Sequence, residues 1–125
     1  MKISAFNPTV LTSNPENVLD LFKDFGFEIR HNDKAEEGLA TGSYRLKDEN
    51  GFYLDITSSE HFPKDMTLIR MSVDNFEEGY KLLEKHGFKN ALGENEIIKT
   101  PHWIGADMVS DSGLRIMLMH HIKKD

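Results

Sequence analysis

The groups in this chain that could do chemistry are six histidines, twenty-one acidic residues and a few arginines, with no cysteine. Without cysteine there is no disulfide, no thiolate ligand and no thiol nucleophile. None of the serines sits in a nucleophile-elbow pattern beside a base. The segment from Gly38 to Gly42 lacks the lysine and the following helix of a phosphate-binding loop. His120 and His121 are adjacent, so in a strand they point to opposite faces and cannot chelate one ion together. His31, His61 and His86 fall at element ends or in a linker and read as surface residues. A displaced metal site would have to use His102 or His121.

Alternation along three apolar stretches sets more versatile groups side by side. Tyr53, Asp55 and Thr57 share one face of the first, Leu68, Arg70 and Ser72 of the second, and Arg115, Met117 and Met119 of the third. Guanidiniums fix anions or pair with a carboxylate, thioethers adapt to irregular shapes, and Tyr53 or Trp103 stacks on planar groups. Trp103, the only tryptophan, is expected at the rim of such a surface.

The elements that would carry these groups are legible. Asn14 and Pro15 open a helix whose stripe is Val18, Leu21, Phe22 and Phe25, and Gly26 stops it. A second helix opens at Asp74 or Asn75, with Phe76, Tyr80 and Leu83 as its stripe and Gly87 at its stop. Strands are expected over residues 3–12, 27–31, 43–47 and 52–57, and again over 66–73, 88–91 or 97–99, 103–109 and 114–120. In this scheme Phe52 and Leu114 face the helices. Turns at 48–51 and 110–113 join the last two strands of each set.

The two sets are copies. Leu21 to Phe27 recurs as Leu82 to Phe88, 61 residues on, and Glu49 to Ile56 recurs as Asp111 to Leu118, 62 residues on. Two segments repeating at almost one offset indicate duplication of a whole supersecondary unit. The fold class is therefore α+β, one domain of two tandem βαβββ modules: residues 1–60, a linker at 61–65, and residues 66–125.

This twice-repeated unit, with Phe22 to Phe27 closing the first helix and the strands at 51–56 and 113–118, resembles the vicinal oxygen chelate superfamily. That group includes glyoxalase I, extradiol dioxygenases and the fosfomycin- and bleomycin-resistance proteins. The resemblance covers essentially the whole chain. It implies a mixed sheet curled into a cup, with the helices on its outer face. It also implies a divalent metal held in the enzymes by His or Glu from the first and last strand of each module. Carried over, those positions fall on Asn7 (or Phe6), Asp55, Leu68 (or Thr67) and Met117. Only Asp55 suits a hard cation, so no metal site, no cofactor and no catalytic residue is assigned. The cup is expected instead to bind a small organic ligand through Asn7, Tyr53, Asp55, Leu68, Arg70, Trp103, Arg115, Met117 and Met119.

Composition narrows the partners. A chain of 125 residues with 38% apolar and 29% charged residues fits a globular domain. Its formal charge of −6 disfavours a nucleic-acid partner. No apolar run approaches a membrane span, and residues 1–8 lack a signal-peptide core, so a cytoplasmic location is expected. The resemblance implies a homodimer and a drug-sequestering function like that of bleomycin-resistance proteins. The alternatives are a glyoxalase- or dioxygenase-like enzyme with an atypical site, and a non-catalytic paralogue whose cup is filled by its own side chains.

Overall fold

The computed structural model describes residues 1–34, 42–58 and 63–122, without the side chains of residues 31–34. The expectations for His31, His61 and Gly38 fall outside what is described. In chain order the elements are β1 (Ile3–Thr12), α1 (Pro15–Asp24), β2 (Glu28–Lys34), β3 (Gly42–Lys47), β4 (Tyr53–Ser58), β5 (Met66–Val73), α2 (Phe76–Lys85), β6 (Lys89–Asn90), β7 (Ile98–Lys99), β8 (Trp103–Val109) and β9 (Arg115–His121). Among the described residues no helix is long and apolar enough to cross a membrane.

The chain divides into two compact units, Asn7–Thr67 and a second made of Met1–Phe6 with Leu68–Asp125. Within the first, β1 lies parallel to β4, and β3 pairs antiparallel with both β4 and β2. Within the second, β5 lies parallel to β9, and β8 pairs antiparallel with β9, β6 and β7. Parallel first and last strands require a crossover between them, and the helix supplies it. The α+β class and the βαβββ order are as the sequence indicates. The third element of the second module differs: residues 88–91 and 97–99 were alternatives, and the chain forms both, as two-residue strands.

Each helix buries one side against its own sheet. Val18 and Leu19 of α1 meet Leu46, Leu54 and Ile56, with Phe22 and Phe27 edge to face at 5.7 Å beside them. Tyr80 of α2 meets Val73, Ala106, Met108 and Leu118. Gly79 lets α2 come close, since a Cβ there would stand 3.2 Å from Leu118 Cδ1. The expected stripe of α1 is corrected at two positions. Leu21 and Phe25 are exposed and Leu19 takes the core position, because the buried arc turns toward Val18 and Phe22. Phe52 and Leu114 are likewise exposed, since β4 and β9 begin one residue after them.

The repeated sequence segments fold alike. Both helices end in a glycine with positive φ, Gly26 at 104° and Gly87 at 87°. The next N–H returns to the last turn in each, from Phe27 to Phe22 and from Phe88 to Leu83, at 3.0 Å. Both hairpins place a glycine fourth, and the residue after it donates its N–H to the first turn residue's side chain: Phe52 to Asp48 at 2.8 Å, Leu114 to Ser110 at 3.0 Å. The helix starts differ. Asn75 caps α2 by accepting from the Glu78 N–H at 3.1 Å. Asn14 holds the cap position of α1 without a side-chain cap bond, and Thr12 Oγ1 instead accepts from the Asn14 N–H at 2.9 Å.

Candidate functional site

Strand register fixes which side chains share the sheet face turned away from each helix. In the first unit Thr9 stands beside Asp55 across β1 and β4, and Arg45 stands beside Asp55 across β3 and β4. Tyr53, Thr57, Lys47 and Asn7 belong to the same face by alternation. In the second unit Arg70 stands beside Met117, Ser72 beside Met119, and Asp107 beside Met117. Leu68, Arg115, Gly105 and Trp103 share that face. The two registers coincide: Asn7 precedes Thr9 by two residues as Leu68 precedes Arg70. Asn7 and Leu68 are buried, whereas Phe6 and Thr67 are exposed.

The first face is organised around a buried carboxylate. Asp55 is 1% exposed; its Oδ1 accepts from Arg45 Nε at 2.9 Å and its Oδ2 accepts from Asn7 Nδ2 at 3.1 Å. A guanidinium on one oxygen and an amide on the other give both carboxyl oxygens a donor where water is excluded. Arg45, itself 35% exposed, was not among the expected site residues. Tyr53 is exposed, and Lys47 Nζ sits 5.2 Å from its ring centroid. Among the described residues, the Thr9 hydroxyl is the one buried side-chain polar atom without a hydrogen-bond partner.

The second face has the same scaffold and other chemistry. Arg115 reaches back along the pair to Asp107, with Nη2 on Oδ2 and Nε on Oδ1. Arg70 Nε points at the Met119 sulfur at 3.0 Å. Leu68 and Met119 are buried and Met117 is half-buried. Trp103 is buried, not at a rim: its indole lies over Gly105, where a Cβ would stand 2.8 Å from Cζ3. A side chain at 105 would expel the ring. His120 lies on the helix side, with Nδ1 2.8 Å from the Val73 carbonyl, while His102 and His121 are exposed. The register therefore sends the adjacent pair His120 and His121 to opposite faces.

The positions where the resemblance would place metal ligands do not fit a divalent ion. On one half Asp55 accepts from both Asn7 and Arg45; on the other, Leu68 and Met117 offer an alkyl group and a thioether. Hard or borderline cations need several oxygen or nitrogen donors. Among the described residues no three His, Asp or Glu come together. A cleft of about 420 Å³ opens elsewhere, lined by Phe25, Gly26, Glu28, Arg30, Lys47 and the 48–50 turn, and none of the nine expected site residues borders it.

Comparison with solved structures places these modules. Over 98% of its length the chain matches glyoxalase I from Zea mays, with a TM-score of 0.70 at 15% identity. It spans only 44% of that chain, less than half of the maize enzyme. Against a glyoxalase/bleomycin resistance protein/dioxygenase superfamily member from Vibrio splendidus 12B01, it covers 95% of itself and 99% of the other chain, with a TM-score of 0.64 and 12% identity. No protein-family sequence model matches the chain, and no curated protein matches it significantly. Two βαβββ modules in this register, together with these likenesses, give the chain the fold of the vicinal oxygen chelate superfamily.

Proposed function

We propose that the protein binds a small organic ligand without a metal ion, as the resemblance to bleomycin-resistance proteins implies. The carrying observation is the chain of contacts from Asn7 through Asp55 to Arg45, which occupies with a guanidinium the one carboxylate among the four positions the resemblance names. The proposed contacts are Asn7, Tyr53 and Asp55 on one half, and Leu68, Arg70, Trp103, Arg115, Met117 and Met119 on the other. Apolar, aromatic and thioether groups dotted with a few anchors are what such ligands require. Drug sequestration, and pairing of two copies, are part of the same proposal.

A panel of glycopeptides and planar aromatic compounds, screened by thermal shift and calorimetry with and without chelator, tests it. Saturable binding indifferent to chelator is expected, and a flat response across the panel sinks the reading. Light scattering is expected to give twice the chain mass. The likeness to maize glyoxalase I favours a second reading, a metal-dependent enzyme with an atypical site. Stoichiometric nickel, zinc, manganese or iron in purified protein, lost in Asp55→Ala, would establish that reading over the first.

A further inference from the structure

Thr9 and Arg45 flank Asp55 on either side of β4, one residue from each neighbouring strand. Arg45 is held in place by its Nε bond to a carboxylate that Asn7 also holds. That bond uses one of five N–H donors, so the terminal nitrogens present a preset fork on a side chain one-third exposed. Thr9 is 4% exposed, and its hydroxyl has no partner among the described residues. A buried hydroxyl left without a bond is a standing cost, and folded chains keep few of them. Once Asp55 is matched by Arg45, what this row offers a visitor is donors: the hydroxyl of Thr9 and the N–H groups of Arg45.

We propose that Thr9 and Arg45 form an oxyanion subsite, which receives a carboxylate or phosphate-type group of the bound ligand. This rests on the reading that the chain binds small molecules and adds the ligand's chemical class. The buried Asp55 acts as a positioning residue: it aims the guanidinium and leaves the visitor's charge to be met by the outer nitrogens. The Arg45 fork matches a planar carboxylate with two parallel bonds, and Thr9 supplies a third. The orphaned hydroxyl is then explained as a group whose partner arrives with the ligand.

Nuclear magnetic resonance on labelled protein tests this, following the Arg45 Nε–Hε signal and the Thr9 amide. The probes are benzoate and inorganic phosphate, set against benzamidine and benzyl alcohol as cationic and neutral counterparts. Benzoate or phosphate should shift both signals saturably, and the two anions separate an organic acid from a phosphate source. Thr9→Val should weaken that binding on the order of tenfold, as loss of one hydrogen bond to a charged group does, without lowering the melting temperature. Arg45→Lys, which keeps the charge and loses the fork, should weaken it as well. Saturable binding of benzamidine or benzyl alcohol at these signals, with none of the anions, overturns the oxyanion assignment and leaves small-molecule binding standing. Anion binding unchanged in Thr9→Val, a lowered melting temperature in that variant, or no binding of any probe also overturns it.

Discussion

On one half of this molecule a carboxylate at 55 stands beside a guanidinium at 45; on the other a thioether at 117 stands beside a carboxylate at 107. Where Thr9 stands in the first, Arg70 stands in the second, and where Tyr53 stands, Arg115 does. The register among the first strand and the last two strands of each half is the same, and so are the helix stops and hairpin turns. Duplication has thus conserved what places side chains and exchanged nearly everything that they present. The ion pairs differ in kind as well. Asp55 is wholly buried and its partner bonds through one nitrogen, while Asp107 is 14% exposed and takes Arg115 through two.

Three pairs of substitutions put that comparison at risk, and urea denaturation reads each. Ile56 and Leu118 are equivalent, both fully buried beneath their helices. Truncation of either to alanine is expected to cost about 3 kcal/mol. A much smaller cost at one of them would mean that the two cores are not equivalent after all. The ion pairs come next. Arg45→Leu takes the guanidinium away from a buried carboxylate and is expected to cost about 2 kcal/mol, whereas Arg115→Leu, in a pair that water partly reaches, should cost under about 1 kcal/mol. Equal costs would erase the distinction between the halves. The smallest contrast lies at the helix starts. Asn75→Ala removes a cap bond and should cost about 1 kcal/mol, against about 0.3 kcal/mol for Asn14→Ala, whose side chain caps nothing.

Much of the scaffold was legible because it rests on local signals. The positive-φ glycines, the Asp48 and Ser110 turns and the period-two strands are written within a few residues of where they act. Counting from those landmarks put Asn7 and Leu68, not Phe6 and Thr67, on the inner register. Arg45, Asp107 and Thr9 escaped because their roles depend on which strand lies alongside. Nothing in the residues near Arg45 says that β4 will set Asp55 opposite it. Trp103 was expected at a rim because it starts a strand beside His102; its burial depends on Gly105 two residues on, which makes room for the ring. The α1 stripe misled because Leu19 and Leu21 both fit a helical period, and only packing chooses between them.

The division of β1 carries a consequence for how the chain becomes a protein. Met1–Phe6 belongs with Leu68–Asp125, and the Lys2 N–H bonds to Asp74 Oδ1 at 2.8 Å while the Asp74 N–H returns to the Lys2 carbonyl at 3.0 Å. Residues 1–6 are therefore separated by some seventy positions of chain from the partners they meet. Closing so long a loop is slow relative to a helix or hairpin, so this junction belongs to the late stages of folding. Residues 66–125 made on their own would lack a piece that only the distant segment 1–6 can return.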